Sequence, residues 1–385
     1  MSTSLDNYKG FEVGEIRPPS EASSLLLRVT RNCPWNNCTF CTLYKGKAFS
    51  IRPIEHVFAD IDLIKKCTDV FSAMASQSHQ KKEAALRKLR EALGQENEWA
   101  FHQSINWYRE GMKSIFLQDA NSMILKTDNM VAILEYIKLN FGQIERITSY
   151  ARSHTIARMS DVDLKRISDA GLNRIHIGME TASDEILNLI NKGVDQATHI
   201  LAGQKVKKTN MQLSEYFMPG LGGKVYSHQN AVETAHALNA INPDFIRIRT
   251  LAVTNQSQLF KDYQQGIFTR ANDTQMVEEL LLLTENLDGI TSTIKSDHIL
   301  NLLPEFEGVL PKDKSYLISI LNWYLNLSED EKIIYRIGRR TGIINGMGDL
   351  SRNGKIQKVE AIIKRNNINK NNVDSIVDEL MKRFI

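Results

Sequence analysis

The apolar positions of this chain change their period as they are followed from the N-terminus. "SLLLRVTR" (24–31) is a short, nearly continuous apolar run that predicts a strand and leads directly into a loop. "RPIEHVFADIDLIKKCTDVF" then sets Val57, Ile61, Ile64 and Phe71 along one stripe, the 3.6-residue period of an amphipathic helix. An Ala/Lys/Glu-rich stretch ending at Gly94 and "EWAFHQSINWYREG" ending at Gly111 predict two more helices. A crossover between parallel strands needs only one. Residues of about 72–111 therefore read as a helical insertion.

Beyond it the rhythm tightens. "KSIFLQDA" (113–120) predicts a strand, "TDNMVAILEYIKLN" a helix and "RITSYAR" (146–152) a strand. Ser160 and Asp163 form a capping box that opens the next helix, and Gly171 stands where its terminal glycine belongs. "RIHIGME" (174–180) is a further strand, and the pair Thr181 and Asp184 opens another helix. "MQLSEYFMPGLGG" and "DFIRIRTLAV" supply two more strands, with the helix after Ser227 between them. Six strands alternating with helices point to the α/β class with parallel pairing and right-handed crossovers. From about residue 260 helical patterns take over. The expected domains are an N-terminal segment 1–23, an α/β unit 24–260 and a helical C-terminal extension 261–385.

Composition narrows the class without naming a function. Of 385 residues, 42% are apolar and 24% charged, enough for a sizeable core. No apolar run reaches membrane-spanning length, and the first residues lack the layout of a secretory signal, so no membrane association and a cytoplasmic location are expected. A net charge of +3 does not announce a nucleic-acid binder. One stretch is biased: Lys332 to Asn372 holds ten Lys or Arg against two acids. It has one aromatic, Tyr335, so no platform for base stacking is visible.

The chemistry concentrates in "RNCPWNNCTFCTLYKG" (31–46), where Cys33, Cys38 and Cys41 are spaced C-x4-C-x2-C. In a reducing compartment such a cluster suggests metal rather than disulfide. A structural zinc site wants four ligands, usually as two short pairs; a distant His or Cys67 would have to complete it here. Cys67 lies on the stripe with Ile64 and Phe71 and reads as a buried core thiol. Three thiolates on one loop leave one iron of a cubane cluster with an open position, where a substrate or cofactor can bind. The loop also leaves the C-terminal end of the first strand, the catalytic rim of α/β barrels.

A three-cysteine loop after the first strand of a six-fold β/α chain, with Phe40 before the third cysteine, resembles the radical S-adenosylmethionine (radical SAM) superfamily. That family's commonest spacing is C-x3-C-x2-C, so this loop carries one extra residue. "RIHIGMETASDEILNLINKG" is most similar to the branch with oxygen-independent coproporphyrinogen oxidases and elongator-type enzymes. The resemblance implies a partial (β/α)6 TIM-like barrel with the C-terminal helical extension. It further implies an oxygen-sensitive [4Fe–4S] cluster on Cys33, Cys38 and Cys41, with SAM chelating the free iron. Its chemistry is reductive cleavage of SAM to a 5′-deoxyadenosyl radical that abstracts hydrogen from a substrate, fed by an electron donor such as flavodoxin or ferredoxin.

Strand ends then become candidate SAM contacts. Asp119 and Asn121 stand where the family places acceptors for the SAM amino group, though either also suits an Asx turn. Arg152 offers a planar fork to the SAM carboxylate, or a solvated charge. Glu180 matches the family acid at the ribose or amino end; its alternative is a helix N-terminal acid. Gly220 and Gly222 in "MPGLGG", with Val253 further on, fall near the expected adenosine site or simply in a turn and a core. Asp297 and His298 are the one adjacent acid–histidine pair of the C-terminal region. They are candidates for proton transfer to substrate; otherwise Ser296 and Asp297 open a helix. A small-molecule substrate is the expectation. Radical SAM modification of RNA, or a non-catalytic metal-dependent nucleic-acid-binding protein, are the alternatives that the 332–372 stretch keeps open.

Overall fold

The computed structural model describes residues 7–384. Its main strands are β1 (Leu25–Arg28), β2 (Ser114–Gln118), β3 (Arg146–Ala151), β4 (Arg174–Glu180), β5 (Gln212–Phe217), β6 (Phe245–Ile248), β7 (Thr293–Lys295) and β8 (Gly308–Val309). They follow one another in chain order in an eight-stranded sheet. The fold is mixed α/β, and the first six of these strands alternate with helices. The chain divides into two compact units. One holds the residues up to Asn36, Leu43–His176 and Lys205–Gln212; the other holds Asn37–Thr42, Ile177–Gln204 and the residues from Leu213 onward.

In the first unit β1, β2 and β3 pair in parallel, with Leu25 opposite Ile115 and Ser114 opposite Arg146. Leu25, Leu27, Ile115, Phe116 and Leu117 are fully buried, which explains their unbroken apolar runs. The insertion adds two helices, His79–Leu93 and Glu98–Arg109, and these pack on the crossover helix Ile54–Met74. Cys67, Phe71, Leu89, Leu93 and Phe101 form its own small core, and burial pushes the Cys67 thiol pKa up. Ser160 caps the helix Asp161–Ala170 by accepting the Asp163 N–H at 3.0 Å, and Gly171 ends it at φ 118°.

The second unit pairs β5, β6 and β7 in parallel, and β8 returns antiparallel to β7. The helix Asp273–Asn286 packs on the helix Ser227–Ile241, and the helices Lys314–Leu325, Glu329–Arg340, Asn353–Arg365 and Val373–Met381 follow. Two readings of the sequence need correction. Strands do not stop at residue 260, because β7 and β8 lie beyond it; three and two residues are too few to show a period of two. The short helix Asp184–Leu189 begins after Ser183, and Thr181 instead accepts the Ser183 N–H at 3.1 Å.

Three arginines of the basic stretch 332–372 are engaged inside the protein. Asp273, 2% exposed, receives Arg340 at 2.7 Å and Arg336 at 3.1 Å. Burial alone would raise the Asp273 carboxyl, but these two guanidinium groups hold it below the usual carboxylate range. Arg339 donates to the carbonyls of Asn301, Leu302, Ile344 and Asn345, and Arg340 also reaches Leu300 O at 2.6 Å. Such groups are not available to phosphates. Lys358, Lys364, Arg365 and Lys370 remain exposed, as does Arg352, which pairs with Asp349 at 3.2 Å.

Candidate active site

Asp119 follows β2 and is fully buried, so its charge needs partners inside the protein. Arg28, at the end of β1, donates to one oxygen at 2.8 Å, and the Asn32 N–H donates to the same oxygen at 2.9 Å. The Tyr44 hydroxyl donates to the other oxygen at 3.3 Å. The carboxylate thus fastens the residue just before Cys33. Asn121 is equally engaged: its oxygen accepts the Arg152 N–H at 3.1 Å and its amide donates to Thr155 at 2.8 Å. The Arg152 guanidinium lies 5.0 Å from the Trp35 ring centroid, a cation–π contact with the cysteine loop. Cys33 accepts the Asn36 N–H at 3.4 Å.

Cys38 and Cys41 lie on the segment Asn37–Thr42 of the second unit. Two backbone bonds thread it there: Thr39 N–H to Ile190 O and Leu259 N–H to Thr39 O, both 2.9 Å. Phe40 packs against Ile186, Ile190, Met218, Leu221, Leu251, Val253, Leu259 and Phe268. Val253 is therefore core in this structure, 3% exposed.

Glu180 ends β4 with φ 67°, a backbone conformation that costs a non-glycine residue about 1–3 kcal/mol. Its carboxylate curls back over Gly178, where any Cβ would come within 2.4 Å of Oε1. Lys192 Nζ stands 3.5 Å from that oxygen and 5.8 Å from the Phe40 ring centroid. Glu180 Oε2 is buried without a hydrogen-bond partner. Lys192 escapes sequence reading because it sits twelve positions from its acid on another element.

The glycine loop after β5 is enclosed rather than open. A Cβ on Gly220 would strike Met276 Sδ at 2.9 Å, and one on Gly222 would strike Ile186 at 2.8 Å. Gly220 N–H donates to Glu279 Oε1 at 3.0 Å, and Ser227 and Asn230 donate to the same carboxyl. Burial pushes Glu279 up to about 7. Glu215 on β5 is also fully buried with both oxygens unpartnered, and burial raises its carboxyl well above the ordinary range.

Asp297 and His298 do not pair, and no helix opens at Ser296. Asp297 forms an ion pair with Arg247, which also donates to Ser214 at 3.2 Å. His298 lies in a turn, and its Nδ1 accepts the Leu300 N–H at 3.3 Å. Burial, then the nearby Arg249 charge, lowers the imidazole to about 4, so it is neutral at physiological pH.

The donor set suits an iron–sulfur cluster by its chemistry. None of the three loop cysteines is in a disulfide, all are partly exposed, and Cys33 already receives an N–H. Among the described residues no three His, Cys, Asp or Glu side chains are gathered as metal ligands. No helix among the described residues is long and apolar enough to cross a membrane.

Comparison with known proteins places these features in a family. A tRNA uridine(34) acetyltransferase of Methanocaldococcus infernus is 22% identical over 120 residues, 31% of this chain and 22% of that protein. The chain thus spans only about a fifth of the length of that curated relative. Among solved structures, a methylornithine synthase aligns at 13% identity and TM-score 0.42 over 78% of this chain and 81% of its own. The Escherichia coli coproporphyrinogen III oxidase aligns at 12% and 0.39 over 63% of this chain and 51% of its own. These remote likenesses spread over several branches and favour none. The family model described as the Radical SAM superfamily, however, matches residues 27–235, from β1 through the cysteine loop, Glu180 and the glycine loop. That span is more than half of the chain, which belongs to the radical SAM superfamily of enzymes.

Proposed function

We propose that this enzyme holds a [4Fe–4S] cluster on Cys33, Cys38 and Cys41 and abstracts hydrogen from a small-molecule substrate. When bound, the cluster and SAM together supply one-electron cleavage of SAM to methionine and a 5′-deoxyadenosyl radical. Three cysteines at this spacing, outside any disulfide and inside the matched segment 27–235, carry the reading.

The chain's own residues supply position and exclusion of water. Glu180 offers an acceptor, with one oxygen unpartnered, and Lys192 offers a cation. Acceptor and cation complement the ammonium and carboxylate at the amino-acid end of SAM. Phe40 packs on the apolar core that contains Val253. Asp119 holds the base of the cysteine loop, and Asn121 ties the backbone of Arg152. Gly220 and Gly222 keep the loop after β5 compact. On this reading residues 24–260 form the radical SAM unit and 261–385 a helical extension that screens the substrate side. The "RIHIGMETASDEILNLINKG" segment supports kinship with the coproporphyrinogen oxidase and elongator-type branch. Reduction falls to a flavodoxin- or ferredoxin-type donor, and the oxygen-sensitive cluster suits the cytoplasm.

The name of the Methanocaldococcus relative raises tRNA as a substrate. The engagement of Arg336, Arg339 and Arg340 inside the protein speaks for the small molecule. Release of 5′-deoxyadenosine by the anaerobically reconstituted, reduced protein given SAM tests the proposal. Its absence, with the cluster intact and SAM bound, overturns it.

A further inference from the structure

Arg249 is the first residue past β6 and shares the face of Phe245 and Arg247, since strand residues two apart point the same way. Its neighbours are committed. Arg247 holds Asp297. Lys295 Nζ donates to Glu307 at 2.7 Å, and the Ser296 N–H donates to the other Glu307 oxygen at 3.0 Å. Both acids of this stretch thus already have cations. Among the described residues the Arg249 guanidinium has no hydrogen bond or ion pair, although the residue is partly buried.

The turn carrying His298 is built against this position. The Asn301 side chain brackets Arg249, donating to Ile248 O at 2.8 Å and accepting the Thr250 N–H at 3.0 Å. Asn301 N–H closes the turn on His298 O at 2.9 Å. Arg339 and Arg340 donate to the carbonyls of Leu300, Asn301 and Leu302. With Nδ1 accepting from Leu300, the neutral imidazole keeps its proton on Nε2 as a donor. Asn301 thus joins the turn of His298 to the backbone on both sides of Arg249, and among the described residues neither the guanidinium fork nor the imidazole N–H has an acceptor.

We propose that Arg249 and His298 form an oxyanion subsite that binds a carboxylate or phosphate group of the substrate. The inference rests on the small-molecule reading and narrows it to an anionic molecule. The arginine fork binds the anion and the imidazole Nε2–H adds one directional hydrogen bond. The C-terminal arginines are then positioning residues, because they hold the carbonyls of the turn rather than the ligand.

The test needs no turnover. Full-length protein with its cluster reconstituted and oxidised, carrying isotope-labelled histidine, is titrated with inorganic phosphate and separately with acetate at constant ionic strength. The His298 resonance is identified by its loss in His298→Gln. A saturable shift with a millimolar dissociation constant, on the order of 4 kcal/mol, is expected from one anion. Saturation by phosphate alone points to a phosphorylated substrate; saturation by acetate points to a carboxylate. Arg249→Gln should weaken binding about tenfold or more, and Arg249→Lys less. A His298 signal unmoved by either anion, or moved equally in Arg249→Gln, overturns the subsite. Competition between SAM and the anion at His298 also overturns it, by assigning the pair to the SAM carboxylate. Anion binding by protein that cleaves no SAM leaves the subsite standing and removes the radical reading instead.

Discussion

Lys192 Nζ stands 3.5 Å from Glu180 Oε1, joining the end of a strand to a residue twelve positions later. The strained backbone at Glu180 and the space left by Gly178 hold the carboxylate there. Glu180→Gln and Lys192→Ala are each predicted to weaken SAM binding about tenfold or more while iron content stays unchanged. Equilibrium dialysis with labelled SAM on the reconstituted proteins measures this. Unchanged affinity in both variants returns the pair to a purely structural role.

Asp119 makes a second prediction, about the loop rather than SAM. Its carboxylate joins Arg28 to the Asn32 N–H, so Asp119→Asn leaves a largely buried guanidinium without its main partner. The loss is expected to be on the order of 3 kcal/mol. Iron should then leave the variant faster than wild type under a chelator, and denaturant midpoints should fall. Equal release rates would place the anchor of the loop elsewhere.

Glu279 gives a pH dependence with a definite sign. Its carboxyl titrates near 7 in the folded protein against about 4.5 unfolded, so between those values the folded state binds more protons. Its contribution is full below about pH 4.5 and lost as pH rises through about 7, by roughly 3 kcal/mol. Glu279→Gln should therefore equal or trail wild type at pH 5 and exceed it at pH 8. Denaturant unfolding of both proteins at the two pH values decides. A stability difference that does not change with pH contradicts the assignment.

Among the described residues, the exposed cations of the basic stretch without an ion pair are Lys358, Lys364, Arg365 and Lys370. Four cations limit the log–log salt slope for a single-stranded nucleic acid to about −3. Binding of tRNA is predicted to be weak and insensitive to sequence. Substituting Lys364 and Arg365 by Ala should leave the fold intact, whereas Arg340→Ala should destabilise it by about 3–5 kcal/mol. Filter binding across a salt series, with unfolding curves, separates the two. Sub-micromolar tRNA binding near physiological salt, abolished by the double substitution, would restore RNA as the substrate.

What the sequence revealed follows from how far each signal reaches along the chain. The helix Thr127–Asn140 and the strand Arg174–Glu180 have the bounds that their patterns predict, because caps and periodicity are local. β7 and β8 are too short to carry a period. Charge counting over 332–372 could not single out Arg336 and Arg340, because their acid, Asp273, stands 63 and 67 positions away. The adjacency of Asp297 and His298 misled for the same reason, since Arg247 lies 50 positions from Asp297. The cysteine spacing was legible because covalent neighbours make it. Lys192, Glu279 and Asn301 came to light only through contacts across the fold.

The central claim is an iron–sulfur cluster on three cysteines with one iron left open to SAM. The measurement closest to it is iron content and electron paramagnetic resonance of anaerobically reconstituted, reduced protein, before and after SAM is added. The account predicts about four irons per chain and a reduced-cluster signal that SAM perturbs. Both are lost in Cys33→Ala, Cys38→Ala and Cys41→Ala and kept in Cys67→Ala. Stoichiometric zinc with no uptake of iron, or a full cluster surviving the loss of any loop cysteine, would contradict it.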